Sequence, residues 1–158
     1  MNLVSAMKKF SPVQVAHAHC DIPCGIYDPI AAKIAAQTVQ KMVMRIQALK
    51  APTTDVERAA HTNTLSRYIA VKEHHAELVR KEIDILWHDY FKPEHVQKHP
   101  DLHTTFWNTA KLASKNKQSV DLDAAKQLVD SVDKIAAVFW ETKGVTYSDP
   151  NAQARFGS

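Results

Sequence analysis

The chain has 158 residues, 45% of them apolar and 23% charged, with 3 glycines and a formal charge of +3. A single domain of this size buries a real core, and scarce glycine points to helices rather than to a β-rich or disordered chain. The small, scattered positive charge excludes a nucleic-acid protein; two cysteines are too few for a disulfide scaffold, and no apolar run approaches the roughly 20 residues of a membrane helix.

Residues 1–18 contain Lys8 and Lys9 and no acid, and end in Ala16-His17-Ala18, which has small residues at the positions read by a signal-peptidase-like enzyme. No continuous apolar stretch precedes that site, so the segment is expected to be a cleavable pro-segment of a cytoplasmic protein, with an atypical export signal as the alternative. Residues 19–27 contain Pro23 and Gly25 and form an irregular hook, because proline and glycine break a regular helix. Asp28-Pro29 then reads as an N-cap followed by proline at the first helical position.

The first helix is expected to reach about Lys50 on a stripe of Ile30, Ile34, Met42, Ile46 and Leu49. Ala51 to Asp55 breaks it and caps a long second helix carrying Leu65, Ile69, Ala76, Val79, Ile83, Leu86 and Tyr90, which ends near Phe91-Lys92-Pro93. After a connector to Pro100, a third helix spans Asp101 to about Lys115. A fourth starts at Ser119 or Asp121 and carries Leu122, Ala125, Leu128, Val129, Val132, Ile135 and Phe139 up to a stop at Gly144. Short connections between four such helices predict an all-α fold, an antiparallel four-helix bundle over 28–144. The tail, 145–158, has no periodicity and is expected to be loose or to pack on a neighbour.

The chemistry concentrates in His19-Cys20-Asp21-Ile22-Pro23-Cys24-Gly25. After a cut before His19, the new α-amine, the Cys20 amide nitrogen and the Cys20 sulfur form two fused five-membered chelate rings around one metal. Cys24 supplies a fourth donor, and the His19 imidazole reaches an axial position. Planar nitrogen and sulfur donors suit nickel(II) or copper(II), whereas structural zinc is tetrahedral. Uncut, His19 offers an amide in place of an amine with a pKa of about 8, so the pro-segment keeps the site off. Anionic thiolate and amide donors also stabilise an oxidised metal.

The segment from His19 to Pro29, His-Cys-Asp-x-Pro-Cys-Gly-x-Tyr-Asp-Pro, resembles the signature of the nickel superoxide dismutase family. The likeness continues in Leu86-Trp87-His88-Asp89-Tyr90-Phe91-Lys92-Pro93, Pro100-Asp101-Leu102-His103 and Phe139-Trp140-Glu141-Thr142-Lys143. It implies a four-helix bundle assembled as a homohexamer, one nickel per subunit, and a peptidase cutting between Ala18 and His19. The reaction implied turns two superoxide ions and two protons into oxygen and hydrogen peroxide by nickel(II)/nickel(III) cycling. His19, Cys20 and Cys24 would be the metal ligands. Tyr27 would stand beside the open metal face, holding water and excluding larger anions, with Tyr90 as its hydrogen-bond partner. Asp21 and Pro23 would shape the pocket through the backbone. Ala35 and His75 stand where the family has a glutamate and an arginine that orient the axial imidazole, which leaves the surroundings of His19 open.

The alternative function is a non-catalytic nickel or copper carrier using the same hook. His95, His99 and His103, and the pair His74-His75, read as surface or core histidines, since Pro93 and Pro100 interrupt helical spacing. No Glu-x-x-His is present to build a di-iron site. Trp87, Trp107 and Trp140 read as core or interface residues. Lys33, Lys92 and Lys111 read as solvated helix faces, with steering of an anionic substrate as the alternative.

Overall fold

A computed structural model of the chain describes residues 25–156. The first helix, α1 (Ile30–Gln47), starts where Asp28-Pro29 places it: Asp28 Oδ1 accepts the Ile30 N–H at 2.8 Å, and Pro29 is buried. Helix α2 (Asp55–Ile85) opens on a reciprocal cap, in which Thr54 Oγ1 accepts the Glu57 N–H and Glu57 Oε2 accepts the Thr54 N–H, each at 3.2 Å. A π-turn, Leu86–Tyr90, extends α2, followed by a short helix α3 (Pro93–Lys98) and then α4 (Leu102–Gln118). Asp121 Oδ1 caps α5 (Leu122–Thr142) by accepting from Asp123 and Ala124 N–H, both at 3.0 Å.

Gly144 ends α5 as expected. Its φ of +73° lies in the left-handed region that glycine adopts without strain, and it lets Val145 N–H reach Trp140 O and Gly144 N–H reach Glu141 O, each at 2.9 Å.

The four long helices pack in a ring, α1 on α2, α2 on α4, α4 on α5 and α5 on α1, giving the antiparallel bundle. No strand occurs among the described residues. Its centre is built from Val79, Ile83, Leu102, Phe106, Leu128, Val132, Ile135 and Phe139. The fourth expected stripe is the core of α5, with Leu122 alone half-buried.

The α1 stripe is corrected. Its core face is Ala32, Ala35, Ala36, Val39 and Val43, while Ile30 and Ile34 are 38% and 46% exposed. Small side chains let the neighbouring helix backbones approach closely, so the alanine face wins the interior over the larger residues. Along α2 the expected stripe is buried from Ala76 to Leu86, and Tyr90 is half-buried. The stretch before Lys72 contains no buried residue, and Val56 is 81% exposed.

Lys72 is itself 2% exposed and donates from Nζ to Asn116 O and, at 2.9 Å, to Lys117 O, so a buried ammonium closes the carbonyl end of α4. Burial pushes its pKa down, opposed by the carboxylate of Glu73.

The connector expected between Pro93 and Pro100 contains α3, begun by Pro93 with His95 Nδ1 accepting the Lys92 N–H at 3.1 Å. The tail is not loose. Its described part, 145–156, contains a short helix, α6 (Ala152–Phe156), and folds back onto α1, with Gln37 Nε2 donating to Ala152 O at 3.0 Å and Lys41 Nζ to Phe156 O at 2.7 Å.

Candidate metal centre

His19, Cys20, Asp21, Pro23 and Cys24, with the cleavage point Ala18-His19, lie outside the described residues. The structure shows the root from which they extend. Gly25 has φ +74°, a left-handed turn directly after Cys24. Tyr27 is half-buried, and its ring meets that of Tyr90 with centroids 5.6 Å apart at 56°.

The π-turn explains how Tyr90 comes to be there. Phe91 N–H reaches back five residues to Leu86 O at 3.0 Å, so Leu86 and Phe91 share the core, 3% and 9% exposed. In a continued α-helix the residue stacked over Leu86 would be Tyr90. The wider turn sends Phe91 inward and leaves Tyr90 at the boundary, facing Tyr27. Extending helical periodicity to Phe91 does not reveal this; the signal available was the aromatic pair Tyr90-Phe91 immediately before Lys92-Pro93.

Tyr90 is held on several sides. Its ring packs 4.5 Å from Phe139 and lies stacked at 5.8 Å on His95, and Lys143 Nζ sits 5.0 Å above it. Its hydroxyl pairs with Thr142 Oγ1, which in turn donates to Phe139 O at 2.6 Å. Tyr27 and Tyr90 meet through their rings, and the Tyr90 hydroxyl is engaged by α5. Three of the segments singled out in the sequence meet at this place: the hook root, Leu86–Pro93 and Phe139–Lys143.

Other candidates separate. Ala35 is a core residue, 1% exposed, and His75 Nδ1 lies 2.8 Å from Val71 O; a carbonyl can only accept, so Nδ1 carries the proton. His95 caps α3, His99 lies 3.6 Å from Glu141 Oε1, and His103 packs against Trp87 at 5.5 Å. Among the described residues no three His, Cys, Asp or Glu side chains form a metal-binding group.

Lys33 is neither solvated nor free to steer an anion: it is 3% exposed and paired with Asp133. Lys92 and Lys111 are exposed, Lys111 with its ammonium 4.5 Å over the ring of Trp107. Trp87 and Trp140 pack against the core, whereas Trp107 is 59% exposed.

An antiparallel four-helix bundle preceded by a short segment bearing one imidazole and two thiols defines a helical metalloprotein. The family model for nickel-containing superoxide dismutase matches residues 14–143. The superoxide dismutase [Ni] of Streptomyces seoulensis is 38% identical over 134 residues, 85% of this chain and 95% of that protein; its counterpart from Streptomyces coelicolor is 37% identical over the same length. A solved native nickel superoxide dismutase superposes with a TM-score of 0.71 at 35% identity, covering 80% of this chain and all of that one.

The chain belongs to the nickel-containing superoxide dismutase family. It is an oxidoreductase with nickel as cofactor and superoxide as substrate, a catalyst rather than a carrier. Among the described residues no helix is long and apolar enough to cross a membrane.

Proposed function

We propose that the dismutation of superoxide is carried by His19, Cys20 and Cys24 after cleavage between Ala18 and His19. The chain then divides into a pro-segment 1–18, a hook 19–27, the bundle 28–144 and the tail 145–158. The observation supporting this reading is the anchoring of Tyr27, three residues after Cys24, on the aromatic cluster around Tyr90. A donor set of two thiolates with amine, amide and imidazole nitrogens fits nickel, because soft anionic sulfur and planar nitrogen are what that ion prefers. Bound nickel supplies a one-electron couple that can both take an electron from superoxide and return one.

The chain's own groups do the rest. The Tyr27 phenol holds water and a proton beside the hook and narrows access to small anions, and Tyr90 fixes the Tyr27 ring. Asp21 and Pro23 set the backbone course between the two sulfurs. Lys143, above Tyr90, adds positive potential where an anion arrives.

We place the protein in the cytoplasm, processed by a dedicated peptidase and assembled as a homohexamer. Exposed apolar side chains at Trp107 (59%), Val56 (81%) and Met44 (41%) offer surface for such assembly. Sedimentation of the processed protein tests the hexamer; a monomer sinks it.

The deciding experiment loads protein cut before His19 with nickel and follows superoxide consumption and the rhombic nickel(III) paramagnetic signal. Both are expected, with neither in the uncut chain. Equal activity before cleavage would refute the role of the pro-segment. Cys20→Ser and Cys24→Ser should each abolish nickel redox activity; a variant that retains it removes that residue from the ligand set.

A further inference from the structure

The tail lies beyond the 14–143 span matched by the family, yet it is bonded along one edge of α1. Tyr147 Oη donates at 2.8 Å to Asp133 Oδ1, and Asp133 holds the buried Lys33 of α1. Arg155 Nε donates at 2.8 Å to Gln37 Oε1 and its guanidinium pairs with Asp149, while Gln37 and Lys41 donate to tail carbonyls. Lys33, Gln37 and Lys41 are spaced by four, so the tail grips a single face of the helix. The outward apolar stripe is partly met here, since Ile34 and Met42 border a cavity of about 220 Å³ with Phe156. At its other end the tail reaches the hook root: Asp28, Pro29, Ile30, Trp140, Tyr147 and Asp149 line one cavity of about 400 Å³.

The start of α1 needs such support. Beyond the Asp28 carboxylate that accepts the Ile30 N–H it has no acid in its first turn, and its early ammonium, Lys33, stands at the positive end of the helix dipole. Asp133 neutralises that charge, and Tyr147 and the surrounding tail hold the carboxylate in place.

We propose that residues 145–156 act as a brace that fixes the first turns of α1, and through them the position of the nickel hook, with Tyr147 and Arg155 as positioning residues. The part concerning the hook rests on the ligand assignment above; the part concerning α1 does not.

The test is amide hydrogen exchange on the full, metal-free chain, comparing the parent with Tyr147→Phe/Arg155→Ala. Amides of Lys33 to Gln37 should exchange about tenfold faster while those of α4 stay unchanged, the pattern of a local opening. Unchanged exchange in α1, or an equal rise in α4, overturns the brace. Tyr147→Phe alone keeps the ring, isolates the bond to Asp133, and gives the same comparison if the double variant does not fold.

In processed, nickel-loaded protein the double variant should lose nickel to a chelator several-fold faster and show an altered rhombic signal. Identical release and signal would confine the brace to α1 and overturn its link to the hook. Failure of the parent to consume superoxide would count against the ligand assignment and leave the exchange result standing.

Discussion

Tyr147 keeps its proton well above the ordinary phenol value of 10.0, first because burial disfavours the phenolate and then because it donates to the Asp133 carboxylate. The folded state therefore binds this proton more tightly than the unfolded state. The stability it contributes is complete below about pH 10 and is lost as pH rises through the native value. Absorbance titration should show that one of the four tyrosines ionises only as the protein unfolds in alkali. Tyr147→Phe should remove that step and flatten the alkaline loss; a normal titration of all four would refute the buried bond. Its partner is tested separately. Asp133→Ala leaves Lys33 buried without its counter-charge and should cost about 3 kcal/mol in urea unfolding, at the lower end for a broken buried pair because Asp133 is itself partly exposed. At this scale the hook is proposed from sequence, because the chemistry assigned to it lies in donor order along the chain. The Lys33 pair was not, since its partner is 100 residues away.

Helix boundaries are local physics, and they came through well. Asp28-Pro29, Thr54 with Glu57, Asp121 and Gly144 each punctuate a helix through bonds to backbone groups within a few residues. Thr54→Ala should cost about 1 kcal/mol, the usual value of a lost N-cap, read as a lower denaturation midpoint with an unchanged slope. No change would mean that the exposed start of α2 is frayed in solution. Glu57 belongs to the same cap, and its carboxyl is held below the ordinary 4.5 chiefly by the Thr53 backbone N–H. That contribution is present above about pH 4.5 and fades as pH falls through the lower native value. The π-turn escaped sequence reading because its cause is not local. Phe91 enters the core only when Phe106, on α4, is there to receive it at 5.4 Å.

For the whole molecule, the four-helix count and antiparallel order follow from helix length and short connections, and the ring α1, α2, α4, α5 is the result. Leu128, fully buried at the centre of α5, should lose about 3 kcal/mol on replacement by alanine, combining transfer and cavity terms. A loss below about 1 kcal/mol would mean that the surrounding core collapses into the space.

The amino-acid order alone carried the helix caps and the α5 core face, and it carries the proposal of His19, Cys20 and Cys24 as donors, because each depends on residues close together in the chain. Folding in three dimensions settled which face of α1 is interior, where Tyr90 points and what the tail does. Those depend on which distant surfaces compete for the same space. Alanine outranks isoleucine on α1 because closely packed helices leave no room for the larger side chain. The tail, without a pattern of its own, is held through residue 156 because α1 offers Gln37 and Lys41 along one edge and α5 offers Asp133, the partner of Lys33.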